Sequence, residues 1–468
     1  MNPITIPNIS IPTIGIPTIG IPSVGFPSAS GGGGLVWPVG MKEHIKAIYD
    51  PKKQGMTSFD VIESYAEDFT TWRYLDSRGT AAVTPNKITI TESFDTTNIV
   101  EDVEEPYSDI SIYVTGVSED VPLVVRDITG NKAIITKDGK YDFSKNSRFM
   151  GFAIYKILSN INVVISLLPT SILKDLSGNG NHAYLYGGKG KLNSGMGVYQ
   201  EDFSINTWNK TSFVFDYSHD YIKAKFKTIN AGHRNVIVSN SNVSLNSMKI
   251  KVIIKGNSKD NRIMYSYADE NGAQKVYYIN NGETGIVPKS IATKTNDFLV
   301  GFRYNENNGD DCEITITQIP DYPDQLCYDG KMYAVCYGFP ILTDYTVMAD
   351  RTWFDNEGNR VFITKGNIWP NCAFNFEKVN ASLSSETFSY SQSTNIDDLI
   401  GKSGITYQTK QSYNGKIIGV GTSSDGDILL IGGQLKGEYI GCHGKIIIAD
   451  RSFTEDEITW LKDNWKKI

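Results

Sequence analysis

The chain has 468 residues, enough for about three domains, and its 45 Lys and Arg against 52 Asp and Glu leave it mildly acidic without a long run of like charge. This balance argues against a nucleic-acid-binding protein, which usually carries a basic stripe, and the longest apolar run, Ile161 to Leu168, is too short to cross a membrane. The 26 Tyr, 20 Phe and 43 Gly, with many Asn, Ser and Thr, predict an all-β protein rich in turns.

Residues 6–30 are five consecutive pentapeptides, IPNIS, IPTIG, IPTIG, IPSVG and FPSAS, and four glycines follow them. A proline every five residues excludes an α-helix and keeps the preceding residue extended. The segment has neither the basic start and unbroken apolar stretch of a signal peptide nor the period of collagen. One interpretation is a disordered Pro/Gly tail. The apolar period favours the other, an arm that becomes ordered against a partner.

The arm and its glycine linker are assigned to residues 1–38, with Gly31–Gly34 as a swivel. The predicted anchoring side chains are Ile6, Ile9, Ile11, Ile14, Ile16, Ile19, Ile21, Val24 and Phe26.

The next two stretches of the chain repeat one another. DISIYVTGVSED aligns with MKIKVIIKGNSKD, AEDFTTWRY corresponds to QEDFSINTW, and a Gly-Phe strand recurs at Gly151-Phe152 and Gly301-Phe302. The strands are short, alternate apolar with polar residues and are separated by turn residues. We therefore predict two tandem β-sandwich modules. Their predicted boundaries are 39–172 for module 1 and 173–322 for module 2.

The last segment, 323–468, has longer strands, among them DYTVMADRTWF, RVFITKG and GKIIIADRSF, separated by Gly/Asn/Asp turns. This spacing is typical of a sandwich or jelly roll. The chain ends in FTEDEITWLKDNWKKI, where Thr454 and Glu457 form a capping box and Phe453 with Ile458 a hydrophobic staple. We expect this helix to pack on the sandwich through the face that bears Trp465.

Three stretches carry a family resemblance. LKDLSGNGNHAYLYG resembles the opening of laminin-G-like, concanavalin-A-like domains of bacteriophage and Bacteroidales proteins, and ADRSFTEDEITWLKDNW resembles their closing strand and helix. FPILTDYTVMADRTWFDNEGNRVFITKG resembles a strand pair common in modular proteins of Bacteroides phages and prophages. The whole is similar to virion fibre proteins of crAss-like phages, especially those on the head, over about residues 175–468 and more loosely over 45–170.

The resemblance implies a C-terminal concanavalin-A-like jelly-roll sandwich that ends in the one α-helix. The DLSGNGN stretch is far from that helix in sequence, with module 2 between them. Two alternatives follow. Either DLSGNGN simply opens module 2, or module 2 is inserted into one lectin-like sandwich.

No catalytic motif occurs: G-x-S-x-G, H-E-x-x-H and the P-loop are missing from the sequence, which therefore predicts a non-enzyme without a cofactor. The five cysteines lack C-x-x-C spacing, so buried thiols are favoured over zinc. Several oxygen-rich turns could bind calcium, but Asn, Asp and Gly also supply the backbone angles of turns, and we favour that interpretation. These turns contain Asp355, Asn356, Glu357 and Asn359; Asp425 and Asp427; and Asp175, Asn179 and Asn181.

Aromatic side chains can stack on sugar rings, because they offer apolar area without requiring a charged ligand. Trp353 lies in an alternating strand and is predicted to be in the core, whereas Trp369 lies beside Pro370 in a loop and is predicted to be exposed. The predicted glycan-binding residues are Trp369, Tyr333 and Tyr345.

The resemblance and the arm together predict a structural virion protein. It would be a head fibre, attached to the capsid or another virion protein through residues 1–38, that presents its modules to host surface glycans. A homo-oligomer, a trimer or a dimer, suits such a fibre because several arms can share one attachment. Nucleic-acid and membrane partners are not predicted. The alternatives are a tail fibre or tail-associated receptor-binding protein, a free carbohydrate-binding protein, or a polysaccharide depolymerase.

Overall fold

The computed structural model describes residues 35–101, 109–127, 132–143, 149–190, 193–227, 234–240, 244–292, 300–305, 310–355, 359–366, 372–380, 393–395, 401, 403–417, 426–433 and 438–468. The nine predicted anchoring side chains of the arm, and Trp369, lie outside these residues. Two α-helices occur in the described part of the chain, and neither is long and apolar enough to span a membrane. Nearly all other regular structure there is β-strand, which confirms the predicted all-β class.

Module 1 is a sandwich of two five-stranded antiparallel sheets. It follows a 3-10 turn (Lys42–His44), strand β1 (Ile45–Tyr49) and the short helix α1 (Pro51–Gln54), and another 3-10 turn (Phe69–Thr71) leads into it. Its strands are β2 (Arg73–Tyr74), β3 (Gly79–Thr84), β4 (Lys87–Ser93), β5 (Val100–Glu101), β6 (Ile110–Thr115), β7 (Leu123–Asp127), β8 (Lys132–Ile135), β9 (Gly139–Phe143), β10 (Phe149–Ile154) and β11 (Val163–Leu167). The sheets have the orders β2-β5-β10-β7-β8 and β3-β4-β11-β6-β9.

Module 2 has the same topology as module 1. Three short strands separate the two modules: β12 (Ile172–Leu173), β13 (Ala183–Tyr186) and β14 (Gly195–Met196). The strands of module 2 are β15 (Asn209–Lys210), β16 (Val214–Tyr217), β17 (Tyr221–Lys227), β18 (Arg234–Asn240), β19 (Met248–Asn257), β20 (Arg262–Ala268), β21 (Gln274–Asn280), β22 (Thr284–Val287), β23 (Val300–Asn305) and β24 (Asp311–Ile319). Their orders, β15-β18-β23-β20-β21 and β16-β17-β24-β19-β22, match those of module 1 strand for strand. The two modules thus share one strand order, as the repeated sequence predicts.

The same aromatic trio forms the core of each module. Its members are Phe69, Trp72 and Phe152 in module 1, and Phe203, Trp208 and Phe302 in module 2. The tryptophan ring lies nearly parallel to the second phenylalanine, at 5.5 Å and 11° in module 1 and at 6.2 Å and 16° in module 2. It meets the first phenylalanine edge-on, at 77° and 87° respectively. Both arrangements are favourable geometries for aromatic quadrupoles, so the repeat extends to the packing of the core.

The repeated Gly-Phe dipeptide has a steric cause. Gly151 and Gly301 have φ angles of 143° and 144°, which residues with a side chain rarely adopt. A Cβ on Gly151 would lie 2.1 Å from the carbonyl oxygen of Val100, and one on Gly301 would lie 2.2 Å from that of Val238. The glycine thus lets the neighbouring strand approach, while the following phenylalanine enters the core.

The remaining strands, together with β1 and β12 to β14, form a third, larger sandwich of an eight-stranded and a seven-stranded sheet. They are β25 (Leu326–Asp329), β26 (Tyr333–Tyr337), β27 (Thr346–Asp355), β28 (Asn359–Gly366), β29 (Cys372–Asn380), β30 (Ser393–Asn395), β31 (Ser403–Thr409), β32 (Ser412–Tyr413), β33 (Lys416–Ile417), β34 (Ile428–Ile431) and β35 (Ile440–Ala449), and helix α2 (Glu455–Asn464) follows. One sheet has the order β14-β25-β35-β27-β31-β32-β33, with β1 also paired to β35, and the other β12-β13-β26-β34-β28-β29-β30.

The third sandwich is built from three separate stretches of the chain. Strand β1 precedes module 1, strands β12 to β14 lie between the modules, and β25 to β35 follow module 2; all contribute to one core. Each module leaves and re-enters this sandwich at one point: the Thr170 amide bonds the Ser64 carbonyl at 2.8 Å, and the Asp321 amide bonds the Val198 carbonyl at 3.0 Å. Both modules are therefore insertions.

The predicted domain boundaries need correcting accordingly. The alternative in which module 2 is inserted into one sandwich is the one that the structure has, and module 1 is inserted as well. The beginning of the segment 39–172 and of the segment 173–322 belongs to the third sandwich. The sequence concealed this because β12, β13 and β14 have only two to four residues each, too few to show a period.

Helix α2 closes the third sandwich as predicted. Thr454 and Glu457 form the capping box, and the face with Ile458, Leu461 and Trp465 is buried. At the start of the described chain, Trp37 packs against Trp460 of this helix, with ring centroids 5.0 Å apart. The described part of the chain therefore begins beside α2.

We expect Gly301→Ala to lower the free energy of unfolding of module 2 by roughly 2–4 kcal/mol, because the new methyl group meets the Val238 carbonyl. Gly404→Ala is the matched control: Gly404 has a similar φ of 140°, yet a Cβ there has nothing within 4 Å. Hydrogen exchange followed by mass spectrometry measures the effect, in β20 and β23 for Gly301→Ala and in β27 and β31 for Gly404→Ala. Equal losses of stability in the two variants would rule out the steric explanation.

Candidate carbohydrate-binding surface

The structure separates the aromatic residues proposed to contact a glycan. Tyr345 is only 2% exposed; its ring packs 4.5 Å from Phe374, and its hydroxyl accepts a hydrogen bond from Gln408. It has no ring face open to a sugar, so its assignment to the binding set is corrected. Trp353 is fully buried, in agreement with its predicted core position. Tyr333 is partly exposed and remains a candidate.

Tyr333 belongs to a tyrosine cluster on the outer face of the seven-stranded sheet. The tyrosine cluster consists of Tyr113, Tyr184, Tyr186, Tyr333 and Tyr337. Strands β13 and β26 pair so that Tyr186 lies directly opposite Tyr333, and the two rings stack at 5.2 Å and 13°. The hydroxyl groups of Tyr186 and Tyr337 are 3.0 Å apart.

Module 1 supplies the fifth member of the cluster. Tyr113 of β6 lies with its ring 4.4 Å from that of Tyr337, and the Lys140 amine lies 5.4 Å above the Tyr184 ring. These contacts attach module 1 to the third sandwich in addition to the two covalent connections of the chain. The cluster therefore lies at the junction of two domains, a common place for ligand sites.

Burial raises the pKa of four of these phenols. Desolvation raises the pKa of Tyr113, Tyr186 and Tyr333 above the usual value and raises that of Tyr337 to about 12. The cluster thus offers aromatic ring surface together with neutral hydroxyl donors. This chemistry suits stacking and hydrogen bonding.

Sequence reasoning missed four members of the cluster. A signal was present: AYLY and YAVCY place tyrosines two or four residues apart, and that spacing puts them on one face of a strand. The pairing of β13 with β26 could not be read from the sequence, because module 2 lies between them.

The Glu377 carboxylate lies between the two sheets of the third sandwich and is fully buried. Arg351 donates to it through Nε at 2.6 Å and a terminal nitrogen at 2.7 Å, and Trp353 Nε1 donates at 2.7 Å. The hydroxyls of Thr406 and Tyr413 donate at 2.6 and 2.9 Å. Five donors occupy the carboxylate, and no solvent reaches it, so it is a structural group.

The DLSGNGN loop is also structural. The Asp175 carboxylate accepts from the Ile48 amide at 3.0 Å and from Ser177 and the Asn181 amide. The side-chain amides of Asn179 and Asn181 donate to carbonyl groups of β1 at 2.8 and 2.7 Å. The loop therefore clamps β1 onto the sandwich, which supports the turn interpretation of these residues.

The other oxygen-rich turns are described only in part. Asp355 bonds Arg360 at 2.9 Å, whereas Asn356, Glu357 and Asp425 lie outside the described residues. In the part of the chain that the structure describes, no group of three or more His, Cys, Asp or Glu side chains could hold a metal ion. Four cysteines, Cys312, Cys327, Cys336 and Cys442, are buried free thiols.

No protein-family model matches the chain, and no curated protein is significantly similar to it in sequence. Among solved structures it is similar to a Trypanosoma rangeli sialidase in complex with 2,3-difluoro-KDN, at 10% identity over 84% of each chain with a TM-score of 0.21. It is also similar to the N-terminal CBM22-1-CBM22-2 tandem domain of Paenibacillus barcinonensis Xyn10C, at 9% identity, over 56% of this chain and 94% of that one, with a TM-score of 0.15. TM-scores this low support no argument about the function of this chain.

His443 is a fully buried titratable group of the third sandwich. Its Nδ1 lies 2.7 Å from the Gly444 carbonyl oxygen, which can only accept, so Nδ1 carries the proton and Nε2 accepts from the Tyr328 hydroxyl at 2.9 Å. Burial lowers the pKa of His443 from 6.5 to about 4.

We expect the free energy of unfolding of the third sandwich to fall as the pH is lowered from about 6.5 to 4. In that window the unfolded chain binds a proton at His443 and the folded chain does not, so the stabilisation present above pH 6.5 is lost as the pH falls. The loss from this group is on the order of 3 kcal/mol. Urea unfolding of the wild type and of His443→Gln at several pH values measures it. Parallel pH profiles for the two proteins would contradict the assignment of this dependence to His443.

Proposed function

We propose that this chain is a structural fibre protein of a bacteriophage head, attached through residues 1–38, that binds glycans of the host surface by its β-sandwich units. The observation that supports adhesion most directly is the tyrosine cluster, which combines stacked, partly exposed rings with neutral hydroxyls at a domain junction. Sugar rings present apolar C–H faces that pack on aromatic rings, and their hydroxyls need hydrogen-bond partners.

Binding without a covalent step is the chemistry that this surface supports. Glycoside hydrolysis in most families needs two carboxyl groups about 5 to 10 Å apart on either side of the scissile bond. The carboxylate beside Tyr333, that of Glu63, accepts from the Tyr65 hydroxyl and the Gly187 amide, and Glu377 is enclosed by its five donors. The proposal therefore assigns recognition to the surface and no turnover.

The arm is proposed to provide the attachment. Its apolar pentapeptides cannot bury their own isoleucines, and the described part of the chain begins beside α2, where Trp37 packs on Trp460. In the sequence, the arm lies outside both inserted modules. A trimer or a dimer of such chains would place several adhesive surfaces around one attachment and gain avidity.

We expect a chain that begins at Leu35 to fold but to be missing from phage particles, because the anchoring side chains are gone. Quantitative mass spectrometry of gradient-purified particles, relative to the major capsid protein, measures incorporation. The full-length Tyr333→Ala variant is the control and should be incorporated at the wild-type level. Normal incorporation of the shortened chain would refute anchoring by the arm, and a few copies per particle would favour a tail position over the head.

We expect Tyr333→Ala to weaken binding of the purified chain to host cell-surface polysaccharide by about 3- to 10-fold, the range expected for the loss of one stacking contact. Tyr333→Phe should bind nearly as well as the wild type, because the ring is retained. Tyr155→Ala, at a tyrosine that is 47% exposed outside the cluster, is the control and should not change binding. An equal loss in the Tyr155 variant would argue against the tyrosine cluster as the glycan surface.

A further inference from the structure

One sheet face of module 2 carries six lysines, which we call the lysine face. They alternate with buried apolar residues along β17 and β19, so they all project from the same side of the sheet. The lysine face consists of Lys223, Lys225 and Lys227 on β17, and Lys249, Lys251 and Lys255 on β19. All of them except Lys223, which is half-buried, are exposed.

The lysines form two parallel rows. The strip between them carries Thr315 and Thr317 and, farther along, Glu313, which is paired with Lys225 and Lys255, and Asp311, which is paired with Lys227. Strand β24 lies between β17 and β19, and its Thr317 is paired with Tyr221 on one side and Lys251 on the other. Thr315, the next outward residue, is paired with Lys223. Neighbouring strands are about 4.8 Å apart, so the rows are about 10 Å apart, and lysines two positions apart along a strand are separated by about 7 Å.

Positive charge exceeds negative charge on this face. Its outward acidic residues are Asp216, Glu313 and Asp311, and Asp216 is paired with Lys223 at 2.7 Å. Within the residues that the structure describes, the other five lysines have no carboxylate within ion-pair distance. The excess is local, because the whole chain has a formal net charge of −7.

The corresponding face of module 1 has a different role. Aligning the modules on Gly116 and Gly256, which both have positive φ at the end of the equivalent strand, places Tyr113 at the position of Ile253. Tyr113 packs module 1 against the third sandwich. Among the residues that the structure describes, the lysines of the same sheet in module 2, other than Lys223, are exposed, and the sheet carries Lys251 where module 1 has Ser111. The duplicated fold thus has one docked copy of this face and one open copy.

We infer that the lysine face of module 2 binds an acidic polysaccharide, a chain of sugars that bears carboxylates or sulfates. The lysine amines match the anionic groups in two rows, Thr315 and Thr317 offer hydroxyls between them, and Tyr221 presents a ring beside Lys223. Glu313 and Asp311 can accept hydrogen bonds from sugar hydroxyls. Sugar hydroxyls occur along the whole length of a polysaccharide, so these acceptors and the lysines can contact one chain together.

This inference deepens the proposed adhesion function by naming the class of glycan, and it places a second contact surface on module 2. It requires that binding be largely electrostatic. Because the lysines are exposed, added salt screens their attraction for the ligand, and affinity must fall steeply as ionic strength rises.

The test measures binding of the purified full-length chain to polygalacturonate and to dextran sulfate at two salt concentrations. We expect the triple variant Lys249→Gln, Lys251→Gln, Lys255→Gln to bind at least about tenfold more weakly, with a smaller dependence on salt. The matched control is Lys87→Gln, Lys174→Gln, Lys331→Gln, which removes three exposed lysines outside module 2 and changes the net charge equally. It should bind like the wild type.

Three results would overturn the inference: equal losses in the two triple variants, equal binding of uncharged dextran, or tighter binding of single-stranded DNA than of either polysaccharide. The last of these would identify a general polyanion surface. Failure of this inference can be distinguished from failure of the proposed function as a whole. The Tyr333 and arm experiments examine the third sandwich and the attachment, and neither depends on the lysines of module 2.

Discussion

A charged group enclosed between two sheets imposes the strongest constraint on this molecule. The Glu377 carboxylate reaches from β29 to Arg351 and Trp353 of β27, and Thr406 and Tyr413 of the same opposing sheet complete its hydrogen bonds. Removing one partner of such a buried pair costs about 3–5 kcal/mol, because the remaining charge is left without compensation. The two sheets are therefore held at one spacing and one register. The inserted modules are attached to this fixed pair of sheets.

That rigid sandwich explains why the modules are inserted as closed units. Its core needs β1, β12 to β14 and β25 to β35 together, so anything placed between these strands must leave and return at one point. The β-sandwich module satisfies this requirement twice, with its two ends bonded to each other at both joints. The Asp175 loop adds a clamp on β1, the strand most distant in sequence from its partner β35.

Sequence patterns predicted the features that are local. The all-β class, the repeated module with its Gly-Phe strand, the core position of Trp353 and the capped helix α2 all follow from residues close together in the chain. Features formed by distant residues were not accessible. Tyr345 was predicted to contact a glycan but is buried. Its burial comes from packing against Phe374 on the opposing sheet, a contact that the sequence does not show. The tyrosine cluster required the pairing of β13 with β26 across module 2, and no period in the sequence records that pairing. The lysines alternate visibly along β17 and β19, but their arrangement in two rows depends on the pairing of both strands with β24, which lies farther along the chain.

The side-by-side ends of module 2 also determine how the molecule would respond to pulling. Tension on a ligand held by module 2 reaches the sandwich along two covalent strands at once, through the residues around Val198 and Asp321. Gln318 reinforces this joint, since its side-chain carbonyl accepts from the amides of Gln200 and Glu201 and its amide donates to the Glu201 carbonyl. The two strands share the load, and the core of the sandwich is not peeled open. An inserted module is therefore held by two covalent connections, whereas a module joined by one linker is held by one.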